Sequence, residues 1–202
     1  MVKRIGDTQD DATRRAIGAL LDLYDHYPEL RSRTAVGGGI AVAHWVGLQP
    51  DLGSLNTADI DMVVDVVVGD VYRDLRKSLL KSGLWVQRNT RKPFAFWRKA
   101  KSAAEEVEID FQGSPFGGTR VPGGKDIYKE VGDLKTRILE GGDLALKHAV
   151  NVPLAGTNSD GGEIRGHARI VEAFILAQPR GFLRSTSSSH RYHRAPAWMP
   201  CL

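Results

Sequence analysis

Two periods of hydrophobic residues run along this chain, and they predict an alternation of helices and strands. In residues 11–27 the apolar side chains recur every three or four positions, at Ile17, Leu20, Leu21 and Tyr24, which is typical of an amphipathic helix. The same period, with glycine or aspartate near the start of some segments, predicts four more helices. These lie at residues 40–46, 70–82, 142–150 and 166–178.

Short segments rich in β-branched and aromatic residues predict the strands, at residues 34–36, 59–68, 84–88, 94–97 and 106–111. Residues 112–125 are rich in glycine and proline and are predicted to form a loop. The order of the elements predicts an α+β fold, with a small mixed β-sheet first, flanking helices and a helical C-terminal part. We therefore divide the chain into a core (1–135), a helical C-terminal part (136–180) and a terminal segment (181–202).

The composition places the chain among ordinary globular proteins. Its 202 residues suffice for one domain with a hydrophobic core, and 42% hydrophobic and 26% charged residues are typical values. No apolar segment approaches the roughly 18–20 residues needed to cross a bilayer, so we expect no membrane partner. The first residues turn acidic before any apolar segment, and the single cysteine, Cys201, excludes an intrachain disulfide, which together favour a cytoplasmic location.

The net charge of +4 comes from the C-terminal end. Residues 173–202 contain four arginines and no acidic residue, whereas the rest of the chain has equal numbers of basic and acidic residues. A basic end can bind the phosphates of a nucleic acid, and it can also be a solvated, disordered tail. The serines, the prolines and the terminal position favour the second interpretation, so we predict a basic, disordered tail over 181–202.

A glycine-rich turn before the second predicted helix is the first candidate for function. Gly37, Gly38 and Gly39 would open that helix, and Asp59 follows about 20 residues later, as in a dinucleotide-binding turn. In such a turn, however, the acidic residue ends a strand, whereas Asp59 begins one and the apolar residues follow it. The pattern therefore disfavours a dinucleotide site.

A second glycine-rich stretch, residues 117–126, offers the Gly124-Lys125 pair of a phosphate-binding P-loop. Thr119 stands where the first glycine of that motif belongs, and Asp126 replaces the hydroxyl residue that would reach magnesium. This interpretation fails, and we expect a turn-rich connection instead.

A third interpretation uses carboxylates on neighbouring strands. Side chains alternate along a strand, so Asp59 and Asp61 project to the same side, about 6–7 Å apart. Residues 106–111 alternate in the same way, and a neighbouring strand could bring Asp110 beside the pair. Such a cluster suits the magnesium ions of a phosphoryl-transfer site. Solvated polar faces are the alternative, but the order of glycines, Asp-Ile-Asp and Glu-Ile-Asp favours a site.

Residues 34–110 carry motifs that resemble a known superfamily. "VGGGIAVAHWVG" followed by "NTADIDMVVD" resembles the signature of the nucleotidyltransferase superfamily, which has the DNA polymerase β-like fold. In that signature a glycine turn starts a helix, an Asp-x-Asp strand follows, and a third aspartate lies on a later strand. With Thr57 two positions before the first aspartate, the chain is most similar to AbiEii-type toxins of bacterial toxin–antitoxin and abortive-infection systems.

The resemblance implies an activity, partners and site residues. It implies a Mg²⁺-dependent transfer of a nucleoside monophosphate from a nucleoside triphosphate to a hydroxyl group, on an RNA such as tRNA, with an antitoxin protein as partner. Three carboxylates would bind the metal and carry the catalysis: Asp59, Asp61 and Asp110. Three further residues would bind the nucleotide: Gly38 and Gly39, which let the backbone approach phosphate at a helix N-terminus, and Lys147, which would neutralise the leaving phosphates. Arg88, Arg91 and Lys92 could also meet phosphate or an RNA acceptor, although a solvated turn is favoured there.

The chain departs from the toxin pattern in two places. The segment between Gly39 and Asp59 is a few residues longer than usual. After Lys147 the toxins carry a Lys-Asp pair and a further aspartate, whereas residues 165–176 contain none here. The intact carboxylates favour a nucleotidyltransferase, acting on RNA such as tRNA or on another hydroxyl-bearing acceptor. A nucleotidyltransferase acting on a small molecule such as an antibiotic, and a catalytically silent relative that binds a nucleotide or a partner protein, stay open as alternatives.

Overall fold

A computed structural model describes residues 11–47, 57–88, 92–102, 105–116, 119–120 and 128–172. In these residues the chain forms five α-helices, one 3-10 helix and ten strands of a single mixed sheet. The predicted α+β class is therefore confirmed, and the sheet is larger than predicted. The predicted tail, residues 181–202, lies outside the described residues.

The helices and strands alternate in the first part of the chain, as predicted. The helices are α1 (Asp11–His26), α2 (Leu30–Arg33), α3 (Gly38–Gly47), α4 (Leu75–Lys81) and α5 (Gly142–Lys147), with the 3-10 helix at Val66–Tyr72. The first five strands are β1 (Thr34–Val36), β2 (Asp59–Val64), β3 (Trp85–Val86), β4 (Ala95–Arg98) and β5 (Val107–Gly113). The other five are β6 (Thr119–Arg120), β7 (Tyr128–Val131), β8 (Leu134–Ile138), β9 (Ala149–Thr157) and β10 (Glu163–Val171).

Strand β2 lies in the middle of the sheet, whose order is β6-β7-β8-β5-β2-β1-β10-β9. It pairs antiparallel with β1 on one side and parallel with β5 on the other. The far edge of β5 is shared between β4, which pairs antiparallel with its first half, and β8, which pairs parallel at Gln112 and Gly113. Strand β1 pairs parallel with β10, which forms a long antiparallel hairpin with β9.

The larger hydrophobic core contains one face of the central strands and the predicted apolar stripe of α1. Ile17, Leu20, Leu21 and Tyr24 are fully or almost fully buried there, as the helical period requires. Helix α1 approaches β9 so closely that a Cβ added to Gly156 would lie 2.4 Å from the backbone nitrogen of Gly18. Glycine at both positions therefore fixes the depth at which α1 packs.

A smaller hydrophobic cluster covers part of the opposite face of the sheet. It is formed by Ala35, Val63, Leu139, Ala145 and Val171, and Ala145 belongs to α5. Val63 has its side chain on this face, whereas Met62 and Val64 belong to the larger core. Because side chains alternate along β2, Asp59 and Asp61 share the face of Val63.

The strand predicted at residues 59–68 ends at Val64. Asp65 Oδ1 accepts a hydrogen bond of 3.0 Å from the backbone nitrogen of Val67 and so caps the 3-10 helix. The apolar run at 66–68 therefore belongs to a 3-10 helix. As a result, the helix predicted at 70–82 is shorter and begins at Leu75.

The helical C-terminal part predicted over 136–180 is wrong for most of the described residues in that range. Only α5 is helical there, and β8, β9 and β10 supply the rest. The helix predicted at 166–178 is wrong from Gly166 to Val171, where β10 pairs with β9 over nine residues. Polar and apolar residues alternate from Glu163 to Ile170, and this strand period overrides the helix-forming residues of the segment. Pro153 is accommodated because β9 is an edge strand.

Candidate active site

The parallel pairing of β2 and β5 brings four acidic residues together. Asp61 lies directly opposite Asp110, and Asp59 lies opposite Glu108. Neighbouring strands are about 4.8 Å apart, so these side chains form a compact acidic patch. The prediction that a neighbouring strand brings Asp110 beside Asp59 and Asp61 is confirmed.

The core on the opposite face fixes the direction of the acids. Ile60 and Met62 of β2, with Ile109 and Phe111 of β5, are buried in the larger core. A slip of one residue in either strand would place an aspartate in that core, which specifies the register strongly. The acidic residues therefore face away from the core because buried apolar residues alternate with them along both strands.

Two contacts hold the carboxylate of Asp61. The buried side chain of Gln112 donates a hydrogen bond from Nε2 to Asp61 Oδ1. The other oxygen, Oδ2, lies against Gly38, where an added Cβ would be only 1.8 Å away. Gly38 has a φ of +54° and is the first residue of α3, and the backbone nitrogen of Gly37 donates to the carbonyl oxygen of Asp61 at 2.8 Å. The glycine turn and Asp61 therefore form one structural unit.

Thr57 connects the second motif glycine to the start of β2. A Cβ added to Gly39 would lie 2.4 Å from Thr57 Oγ1. The same hydroxyl donates to the carbonyl oxygen of Asp59 at 3.2 Å and accepts from its backbone nitrogen at 3.3 Å. The backbone nitrogen of Thr57 in turn donates to Thr13 Oγ1 at 3.0 Å. The threonine of the motif thus fixes the entry of the chain into the strand of acids.

The acidic patch raises the pKa of its two most enclosed carboxyl groups. Burial, followed by the negative charge of Asp59, raises the pKa of Asp61 to about 6, against the opposing effects of Arg137 and Gln112. Burial, followed by the charge of Glu108, raises the pKa of Asp110 to about 8, although Lys92 opposes this. A cation bound among these carboxylates would offset the like-charge repulsion, which adds to burial in raising both pKa values.

The acidic patch offers carboxylate oxygens as donors on two paired strands. Asp110 Oδ1 is buried and has no hydrogen-bond partner among the described residues, and such an oxygen is expected to have a ligand. Carboxylate oxygens are the protein ligands that Mg²⁺ prefers. In the described ranges, no group of three or more His, Cys, Asp or Glu side chains is arranged to hold a metal ion. A magnesium site at Asp59, Asp61 and Asp110 therefore stays a prediction.

The basic residues near the acidic patch are Lys92 and Arg137, whereas the motif implied Lys147. Lys92 Nζ lies 2.7 Å from Glu108 Oε1, and Arg137 acts on Asp61. Arg88 is engaged elsewhere, in an ion pair with Glu106. Lys147 is exposed at the end of α5, and its role in binding phosphate stays a prediction.

Two residues at the site, Gln112 and Arg137, were not predicted from the sequence. Gln112 lies two positions after Asp110 and four after Glu108, so the alternation that selected the acids also indicated its face. Arg137 lies on β8, a strand that was not predicted, opposite Gln112 in the sheet. No signal in the sequence pointed to this pairing.

No family model, curated protein or solved structure matches this chain. None of the helices in the described residues is long and apolar enough to cross a membrane. The functional conclusion therefore depends on the acidic patch and the glycine turn beside it.

Proposed function

We propose that this chain is a Mg²⁺-dependent nucleotidyltransferase that transfers a nucleoside monophosphate from a nucleoside triphosphate to a hydroxyl group. The observation that carries the proposal is the register that sets Asp61 opposite Asp110 while Gly38 lies against the Asp61 carboxylate. A carboxylate cluster and a glycine-opened helix N-terminus are thereby neighbours. This is the combination that phosphoryl transfer from a nucleotide requires.

The carboxylates have distinct roles in this proposal. Asp59, Asp61 and Asp110 would hold magnesium, which when bound neutralises the triphosphate charge. Gln112 keeps the Asp61 carboxylate in place through its hydrogen bond. The acceptor hydroxyl attacks the α-phosphate and its proton passes to the Asp110 carboxylate. A new O–P bond forms as the bond to pyrophosphate breaks, and pyrophosphate leaves.

The glycine turn would hold the phosphates of the nucleotide. Helix α3 begins at Gly38, and the backbone amides of its first turn favour an anion. Neither Gly38 nor Gly39 presents a side chain that would block the approach of a phosphate. Because Asp61 touches Gly38, a phosphate at this turn would lie beside the proposed metal ligands.

An RNA acceptor such as tRNA and an antitoxin partner are parts of the proposal that the motif resemblance supports. The motifs "GGIAV" and "TADIDMVV" are most similar to those of the AbiEii-type toxins. That resemblance implies an RNA acceptor and an antitoxin partner. An enzyme of this kind that acts on a small molecule would use the same carboxylates, so the acceptor has to be found by experiment.

A catalytically silent nucleotide-binding relative is the second candidate, and one observation favours it. Where the toxins carry further aspartates after the lysine, this chain forms the β9–β10 hairpin. Asp160, the last aspartate, lies in the turn of this hairpin. Strand β10 meets β1 near its other end, at Ile170. No aspartate of the described residues after Lys147 therefore joins the acidic patch.

Transfer of label from each of the four α-labelled nucleoside triphosphates to total RNA, with Mg²⁺, tests the proposal. We expect labelled RNA with the unaltered chain and with Asp160→Asn, a matched control that removes a distant carboxylate. Asp61→Asn keeps the side-chain shape but removes a metal ligand, and should reduce transfer at least about 100-fold. Nucleotide binding without transfer to any acceptor would favour the silent relative. Equal transfer by Asp61→Asn and the unaltered chain would overturn the metal assignment.

A further inference from the structure

Two cations affect the acidic patch, and only one of them already has an acidic partner. Lys92 is joined to Glu108 by a contact of 2.7 Å. Arg137 forms no ion pair with any carboxylate in the described part of the chain, although it lowers the pKa of Asp61. The guanidinium of Arg137 is therefore close to the patch without forming an ion pair among the described residues.

The position of Arg137 is fixed by two neighbours. In the sheet it lies opposite Gln112, the residue whose side chain donates to Asp61. Its Cζ lies 6.0 Å from the centre of the Phe94 ring, and Phe94 is buried. A guanidinium over an aromatic face is held by the ring quadrupole, and its N–H groups in the guanidinium plane can still donate. Arg137 is thus a half-buried cation, one strand away from the side chain that holds Asp61.

A fixed arginine beside metal-binding carboxylates suits an anionic ligand that arrives with the metal. Its planar fork matches two phosphate oxygens, and it keeps its charge at any physiological pH. Lys147, by contrast, is an exposed lysine at the end of α5. We propose that Arg137 binds the polyphosphate tail of the nucleotide, the role that the motif assigned to Lys147. This inference rests on the proposed function and adds a specific anion-binding residue to it.

Matched charge-removing variants, Arg137→Met and Lys147→Met, test the assignment. Two ligands are titrated by calorimetry with Mg²⁺: inorganic tripolyphosphate and a nucleoside triphosphate with a non-hydrolysable α,β-methylene bridge. Arg137→Met should weaken both at least about tenfold, the usual loss for a charge-assisted pair of hydrogen bonds. Lys147→Met should change the affinity less than about twofold, as expected for an exposed charge.

Two further variants separate phosphate binding from damage to the fold. Arg137→Lys keeps the charge but loses the fork, and should give an intermediate affinity. Phe94→Leu removes the aromatic face without changing any charge, and should also weaken tripolyphosphate binding. Mn²⁺ binding in the absence of phosphate should survive in Arg137→Met, because the carboxylates are untouched.

The outcomes distinguish this inference from the proposed function. If the unaltered chain binds both ligands and Arg137→Met and Arg137→Lys bind them equally well, the Arg137 assignment is overturned and the proposed function stands. A loss confined to Lys147→Met would return the role to that lysine. If the unaltered chain binds neither ligand, both the proposed function and the assignment are wrong.

Discussion

The carboxylate of Asp61 occupies the space that a side chain at Gly38 would need. An added Cβ would lie 1.8 Å from Asp61 Oδ2, well inside any permitted contact. Gly38 also has a left-handed backbone, with a φ of +54°. The contact with Asp61 therefore requires glycine at position 38, whether or not this turn also binds phosphate.

We expect Gly38→Ala to disrupt the acidic patch. The variant should lose about 1–3 kcal/mol through its left-handed backbone and should also displace the carboxylate, so that Mn²⁺ binding is lost. Gly83→Ala is the matched control, because Gly83 is left-handed, with a φ of +71°, and has no atom within 4 Å of an added Cβ. Urea unfolding and Mn²⁺ calorimetry on both variants check this. Equal Mn²⁺ affinity in the two would contradict the contact between Gly38 and Asp61.

We expect Gly39 and Thr57 to be energetically coupled. Gly39→Ala places a methyl group 2.4 Å from Thr57 Oγ1, and crowding of this kind costs about 1–3 kcal/mol of unfolding free energy. Thr57→Gly alone loses the hydroxyl that bonds with Asp59, but it opens the space. The double variant should therefore be more stable than the sum of the two single effects predicts. A double-mutant cycle measured by urea unfolding gives the coupling, and strict additivity would show that the two residues do not meet.

The same pair bears on nucleotide binding. Gly39→Val should weaken the binding of a nucleoside triphosphate, because a branched side chain would block the approach of phosphate to the backbone. Since the side chain also meets Thr57, the loss should exceed that of Gly39→Ala. Calorimetry with the α,β-methylene analogue measures both, and unchanged affinity would move the phosphate site away from this turn.

We expect the metal-free chain to lose stability as the pH rises from about 4 to about 8. Burial and like charges raise the pKa of Asp61 to about 6 and that of Asp110 to about 8, whereas both are ordinary in the unfolded chain. In this interval the folded chain binds more protons than the unfolded chain, so the free energy of unfolding falls with rising pH.

Two comparisons check the origin of this pH dependence. Asp110→Asn removes one of the two groups with a raised pKa, so its stability should vary less over the same interval. Millimolar Mg²⁺ should restore part of the lost stability at pH 8, because a bound cation favours the charged carboxylates. Urea unfolding at a series of pH values measures both effects. A stability that rises with pH in the metal-free chain would contradict the raised pKa values.

The local part of the fold was readable in the sequence, whereas among the pairings of distant strands only that of β2 with β5 was expected. The stripe of α1 and the alternation of Asp59 and Asp61 each depend on a single element, and both were predicted. The position of Arg137 beside Gln112 depends on β8 reaching the end of β5, which no local pattern encodes. The end of β2 was missed because Asp65 turns an apolar run into a 3-10 helix through one hydrogen bond.

The C-terminal hairpin shows a different reason for error. Residues 163–170 alternate polar and apolar side chains, which is the period of a strand, yet the apolar residues that follow suggested a helix. The alternation of polar and apolar residues predicts the observed strand β10 correctly. Strand β9 contains Pro153, which an edge strand can accept although a central strand cannot.

The pairing of β2 with β5 has a consequence for the order of events in folding. Asp61 and Asp110 are far apart in the chain, and the parallel strands that carry them cannot pair until the intervening elements have closed a long loop. Before the two strands pair, Asp61 and Asp110 are not neighbours. A divalent cation therefore finds no preformed carboxylate cluster in the chain early in folding. We therefore expect Mg²⁺ to lower the unfolding rate of the chain and to leave its folding rate almost unaltered.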